Sequence, residues 1–372
     1  MITQTVTVPY LNLGLQHKNI KADILRSIET ILDSGQFILG EETQKFEKQF
    51  AELAGTKYAL GVANGTDALF LSMLALGIGK GDEVITAPNS FLASASSIAI
   101  CGAKPVFADV RDDFNLDPAL VEKAITNKTK AIIAVHLTGR PAPLNELLAI
   151  AKKHNLHLLE DCAQAVGATY HGKPVGSFGT TGCFSLHPLK NLAACGDGGV
   201  ITTNDEKIYK HLLVARNHGL VNRDECSFWS YNSRLDNLQS AILNVKLKEL
   251  SKWTNRRREI ASMYSNALQD LDLILPIDKP HEKAVYHTYI IQTKKRDLLK
   301  EYLAGQGIDT KIHYPLPIHL QDAAKELGYR KGDFPVTEKQ TDTILSLPVF
   351  AELTNEQVNY VSASIRNFFK AN

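Results

Sequence analysis

Between Tyr58 and Glu160 short apolar runs alternate with stretches of helical periodicity, and this alternation constrains the fold more than any single residue does. Tyr58–Val62, Glu83–Thr86, Pro105–Ala108, Ala131–Val135 and Leu156–Glu160 read as buried strands. The segments after Asn64 to Leu76, through Ala93 to Ile100, near Pro118 to Ile125 and from Leu144 to His154 read as helices. A chain that repeats strand and helix in this way builds a mainly parallel sheet covered by helices, with function at the carboxyl ends of the strands. Gly77-Ile78-Gly79-Lys80-Gly81-Asp82 superficially suggests a dinucleotide loop. It follows a helix and precedes a strand, the reverse of the required context, and reads as a turn.

The flanks complete the outline. Helices are expected over Leu25–Leu32 and Glu42–Ala54, strands at Gly182–Leu186 and Val200–Thr202, and a helix from Glu206 to about Asn217. A long helical region from Leu235 through Leu268 follows, and its Arg256-Arg257-Arg258 run reads as a solvated face. The domain change is placed there, giving a large domain over 1–245 and a smaller α+β domain over 246–372. The latter has a strand at Tyr289–Ile291 and helices near Leu298–Leu303 and Glu356–Phe369.

The 41 basic and 40 acidic residues nearly cancel, so no overall field draws the chain to nucleic acid or an anionic membrane, and a small-molecule partner is favoured. The stretch Met1 to Tyr10 has no leader-like pattern and no apolar run is long enough to span a bilayer, which points to the cytoplasm. Five cysteines without a C-x-x-C pair indicate neither a disulfide framework nor a metal site.

Three places could carry chemistry. Lys190 lies between an apolar strand and the glycine-rich Gly196-Asp197-Gly198-Gly199. A lone lysine is ordinarily a surface residue, but one placed there could form a Schiff base with pyridoxal phosphate. Asp161 lies just past a strand, where a carboxylate caps a helix or faces a ligand; beside a pyridoxal ring it would keep the ring nitrogen protonated. Asn64-Gly65-Thr66-Asp67 joins a strand to a helix start, a device that holds an anion or merely caps the helix. His287, His313 and His319 have no ligand spacing and read as loop or core histidines, not as a metal site.

Nine segments in order make the chain resemble the sugar aminotransferases of the DegT/DnrJ/EryC1/StrS family. Among them are Ser34–Gly40, Asn64–Leu69, Gly102–Phe107, Glu160–Ala165, Phe184–Gly199, Arg234–Gln239 and Gly307–Pro315. The resemblance implies the type I, aspartate-aminotransferase-like fold, with a seven-stranded sheet and pyridoxal 5'-phosphate as cofactor. It implies that Lys190 holds the cofactor and moves protons, that Asp161 meets the pyridine nitrogen and Gln164 the phenolic oxygen, and that Gly65, Thr66 and Ser185 bind the phosphate. Phe91 matches the residue stacked above the ring, although by sequence alone core packing is equally open to it. Asn232 matches an asparagine given to the neighbouring subunit's phosphate site, which implies a homodimer with shared sites.

His187, His313 and Tyr314 become candidate substrate contacts. The reaction implied is ping-pong transfer of an amino group from an amino acid, L-glutamate by analogy, to a keto group of a nucleotide-linked deoxysugar. Alternatives are a pyridoxal-dependent sugar dehydratase, whose family members carry histidine in place of the lysine, and a non-catalytic binding or regulatory protein. His187 and Thr138 replace common aromatic residues, and Pro88–Phe91 is one residue short; these differences bear on which sugar is used.

Overall fold

The computed structural model describes residues 8–371. The reading of the first residues, Met1 to Thr7, lies outside them. A seven-stranded sheet forms from β1 (Tyr58–Val62), β2 (Glu83–Thr86), β3 (Lys104–Phe107), β4 (Thr129–Val135), β5 (His157–Asp161), β6 (Thr181–Ser185) and β7 (Gly199–Thr203). Their order is β1-β7-β6-β5-β4-β2-β3. Helices cover both faces, so the central strands are buried on both sides and read as continuous apolar runs; of the seven residues of β4 only Lys130 is exposed.

One strand departs from the parallel rule. β7 runs antiparallel to both β1 and β6. A parallel return needs a crossover, usually a helix, and the connection from Leu186 to Gly198 contains none, so the chain turns straight back. The consequence is functional. Because β7 is reversed, its first residue, Gly199, lies at the edge where the other strands end, paired with Val62 on one side and Ser185 on the other. Asp161 closes β5 at the same edge.

The helix Glu41–Ala54 shows how the covering layer is fixed. Phe46 and Phe50 fall on one face and are fully buried, while Gly55 adopts φ 64° to end the helix. Burying two such rings is worth about 2–3 kcal/mol each. The expected single helical region from Leu235 to Leu268 is two helices, Asn237–Leu247 and Leu250–Leu268, separated by Lys248-Glu249. No glycine or proline marks that break, so apolar periodicity runs across it.

The C-terminal part adds β8 (Tyr289–Gln292) and β9 (Ile344–Leu347), an antiparallel pair packed with the helices Leu250–Leu268, Arg296–Gly305 and Asn355–Ala371 around Tyr264, Tyr289 and Phe350. No described helix is long and apolar enough to cross a membrane. All five cysteines are free thiols.

His136, Glu160 and Cys162 converge in the interior at ligand-like spacing. The donors and acceptors of His136 and Glu160 are nonetheless committed. Glu160 accepts N–H bonds from Gly176, Phe178 and Gly179 at 2.7, 2.8 and 2.7 Å. His136 Nδ1 accepts from Ala142 N–H at 2.9 Å, so its Nε2 carries the proton and donates to Glu160 at 3.1 Å. This is a brace that holds the loops beside β5.

Candidate active site

Lys190, Asp161, Gly65, Thr66, Ser185 and Gln164 all stand at or just beyond the strand edge defined above. Asn64 caps the helix Gly65–Ala75, its side chain accepting from Asp67 N–H at 2.8 Å, while the Gly65 and Thr66 amides have no partner among the described residues. Two free amides at a helix start, with the Thr66 and Ser185 hydroxyls near, form a cradle for a dianion. Its fit is close: a Cβ on Gly65 would stand 2.7 Å from Ser185 Cβ, and one on Gly199 would stand 2.3 Å from Asn64 O. Gly65→Ala should therefore push the helix start away from Ser185 and weaken phosphate-ester binding by roughly 10-fold or more, the loss of one charge-assisted hydrogen bond or its equivalent; equilibrium dialysis against inorganic phosphate and pyridoxal phosphate measures it.

Asp161 is buried, and its carboxylate is oriented at both oxygens. Ser94 Oγ donates to Oδ2 at 2.7 Å and Ala163 N–H to Oδ1 at 3.1 Å. Ser90 Oγ in turn lies 2.8 Å from Ser94 Oγ. The two serines were not anticipated. Their one signal is in the Ser90–Ile100 sequence, where small hydroxyl residues interrupt an otherwise apolar helix that should bury its face.

Lys190 follows a tight turn closed by its own N–H donating to His187 O at 2.8 Å. Desolvation pushes its amine below the ordinary lysine range, and the Asp161 carboxylate partly opposes that fall. An amine with a lowered pKa is more often neutral and so more nucleophilic.

Gln164 is buried, its Oε1 accepting from Thr138 N–H at 2.7 Å and its Nε2 donating to Tyr314 Oη at 3.4 Å. Burial, with the nearby Asp161 charge, pushes the Tyr314 hydroxyl up to about 12, while the Gln164 hydrogen bond opposes the rise. Phe91 is 53% exposed, not a core residue, and its ring centroid lies 5.8 Å from that of Tyr314. His313 is half-buried with Nδ1 2.9 Å from Ser346 Oγ; burial and then the Lys190 and Lys311 charges lower it to about 4. His187 is exposed, its Nδ1 accepting from Leu189 N–H at 3.3 Å.

Asn232 stands apart. It lies exposed on the loop that also carries Trp229, 95% exposed, and Tyr231. Of the three histidines read as loop or core, His319 is buried against Glu338, whereas His287 and His313 feel the Lys190 charge and so belong to the site's surroundings. A cavity of about 690 Å³ opens beyond Thr138, lined by Phe114, Arg140, Tyr286 and Thr288 among others, and neither Lys190 nor Asp161 borders it.

A desolvated amine, a buried carboxylate held by a serine, and a helix-start cradle for a dianion, all along one sheet edge, are the donor set that pyridoxal phosphate requires, and the residues fit it. Such a site on such a fold defines the class of pyridoxal-phosphate-type aminotransferase scaffolds. The match to the DegT/DnrJ/EryC1/StrS aminotransferase family spans residues 18–366, and the chain belongs to that family. It is 45% identical over 98% of its length, and 99% of the relative's, to a Geobacillus stearothermophilus protein named pleiotropic regulatory protein. It is 42% identical, over 98% of this chain and 99% of the other, to UDP-N-acetyl-3-dehydro-alpha-D-glucosamine 3-aminotransferase of Acidithiobacillus ferrooxidans. Among solved structures, Streptomyces venezuelae DesV, in complex with a ketimine intermediate, superposes with a TM-score of 0.96 at 38% identity, covering 98% of each chain.

Proposed function

We propose that this chain is a pyridoxal-phosphate-dependent aminotransferase that moves an amino group from an amino acid, L-glutamate first among candidates, to a ring ketone of a nucleotide-linked sugar. The observation that carries the reading is the grouping along one sheet edge of Lys190, the Asp161 carboxylate held by Ser94, and the helix start at Gly65 beside Ser185. Bound pyridoxal phosphate supplies the electron sink that makes a proton on an amino acid's alpha carbon removable. The rest is the work of this chain's residues.

Lys190 Nζ is the group that attaches the cofactor and takes and returns the proton, a task suited to an amine brought nearer neutrality. Asp161, whose carboxylate Ser94 holds in place, would hold the pyridine nitrogen. Gln164, fixed by the Thr138 amide, would hold the phenolic oxygen. Gly65, Thr66 and Ser185 would take the phosphate, and Phe91 would pack on the ring. His187, His313 and Tyr314 border the approach of the sugar.

Asn232 completes the phosphate site of a second copy, so that the active unit is a homodimer. Its exposure, beside the exposed Trp229 and Tyr231, supports this assignment, since large apolar surfaces of that kind are ordinarily covered. The names of relatives extend to a regulatory protein, but a binding role alone gives no use for a desolvated lysine that feels the charge of a buried aspartate. The retained lysine likewise disfavours the dehydratase reading.

The test loads the protein as the pyridoxamine form and offers UDP- and dTDP-linked 3-ketohexoses. Consumption of the amine form with a new amino sugar by mass spectrometry, and 2-oxoglutarate released from glutamate, is the expected result. Loss of a sugar hydroxyl without amine transfer would replace the reading by dehydration.

A further inference from the structure

The residue after the lysine is tied to a distant part of the chain. Asn191 is buried, its Nδ2 donating to Val285 O at 3.4 Å, and its Oδ1 lying 3.0 Å from His287 Nδ1. Because the amide nitrogen is engaged by a carbonyl, the amide oxygen is the acceptor and His287 Nδ1 carries a proton. One asparagine thus clasps one short segment at two points, its backbone and a side chain.

That segment is itself anchored. Val285 N–H donates to Gly139 O at 3.0 Å and Thr288 N–H to Thr138 O at 3.4 Å. Gly139 has φ 88°, and a Cβ there would stand 2.7 Å from Val285 Cγ2 and 3.0 Å from His287 N, so no other residue permits this approach. Thr138 in turn fixes Gln164. The segment from Val285 to Thr288 therefore spans the loop after β4 and the lysine loop, and Asn191 is where it grips the latter.

We propose that His287 and Asn191 form a latch that sets the position of Lys190, making both positioning residues for its chemistry. The inference rests on the reading of Lys190 given above. Among the described residues Lys190 has no side-chain hydrogen bond of its own to fix its amine, whereas its neighbour Asn191 is held by two. The charges that act between these groups link the Lys190 amine with Asp161, His287 and His313, and His287 with Lys190, Arg257 and His313. Burial first, and then the positive charges of Lys190 and Arg257, hold His287 well below the usual histidine range. It is accordingly the neutral ring, with its single proton on Nδ1, that closes the latch.

The test uses the full chain with His287→Leu and the conservative His287→Gln, which retains an N–H near the same place. Two readouts are taken on each. The first is competitive acetylation of the cofactor-free protein as a function of pH, followed at the Lys190 peptide by mass spectrometry, which reports the amine's pKa. An apolar leucine cannot by itself solvate the lysine, so a rise of the Lys190 pKa toward the ordinary value in His287→Leu, reversed in His287→Gln, shows that the amine has been displaced. The second is kinetic: kcat should fall about 10- to 100-fold in His287→Leu, the scale of a misplacement of roughly 1 Å, with KM for the amino-acid donor nearly unchanged and most of kcat recovered in His287→Gln.

An unchanged Lys190 labelling profile in a folded His287→Leu protein overturns the latch whatever the reaction proves to be. If His287→Leu does not fold, Asn191→Ala is read by the same labelling, with the same outcomes. Failure of the aminotransferase reading shows separately, as wild-type protein that labels normally at Lys190 but transfers no amine.

Discussion

Replacing Lys190 by alanine is expected to lower amino transfer by at least roughly 10⁴-fold, because in the proposed reaction one side chain serves as both covalent anchor and proton carrier. The loss should fall on kcat. Cofactor affinity should decline far less, since the helix-start amides of Gly65 and Thr66, the Ser185 hydroxyl and Asp161 all remain. The separation follows from the fold: Lys190 sits on the connection between β6 and β7, whereas the helix-start amides of the proposed phosphate cradle follow β1 and Ser185 closes β6 before the lysine turn. Removing the lysine side chain leaves the close contact of Gly65 with Ser185 intact. Stopped-flow half-reactions with glutamate, beside equilibrium dialysis with pyridoxal phosphate, measure the two effects. An alanine variant that turned over within tenfold of wild type would remove Lys190 from the chemistry.

Asp161→Asn should cost about 10³-fold in kcat with the fold preserved, comparable to removing one preorganised electrostatic partner from an enclosed site. Asparagine keeps the shape: with its oxygen accepting from Ala163 N–H, its NH2 donates to Ser94 Oγ, which then donates to Ser90 Oγ, so the change removes the negative charge and reverses one hydrogen bond while the side chain stays held. A second consequence has a definite sign. The Asp161 charge raises the Lys190 pKa against the desolvation that lowers it, so removing that charge should lower the Lys190 pKa further. Competitive labelling of the cofactor-free variant reads that shift directly. A rise, or kcat close to wild type, would mean that Asp161 faces neither the lysine nor the reacting ring.

The parts legible in the sequence were those encoded by neighbours along the chain. Asp161 and Lys190 each follow an apolar strand, and Gly65 stands between a strand and a helix; each of these patterns is local. The individual strands are legible for the same reason, while their number in one sheet is implied by the family resemblance. What escaped notice depends on pairings between distant segments. The reversal of β7 follows from the lack of a helix between Leu186 and Gly198, which becomes visible only when that stretch is seen as a loop. The helix Pro335–Thr343 and the strand β9 after it were not anticipated, since Thr337-Glu338-Lys339-Gln340-Thr341 carries no apolar stripe. Its Thr337 is instead buried by hydrogen bonds to Asp109, far away in the chain.

The same limit governs the site. Ser94 reaches Asp161 across 67 positions and His287 reaches Asn191 across 96. No spacing rule connects such pairs. His287 had the sequence context of a loop or core histidine, and its place beside the lysine arises only because Gly139 lets the Val285–Thr288 segment come close. Phe91, by contrast, was open between core and ligand on sequence alone, and its exposure removes it from the core.

The most direct test of the account is where the cofactor becomes attached. Wild-type protein incubated with pyridoxal phosphate and reduced with borohydride should carry one pyridoxyl group per chain, on the peptide containing Lys190, and Lys190→Ala should carry none. A label on any other lysine, or a wild-type protein left unlabelled at saturating cofactor, would contradict it.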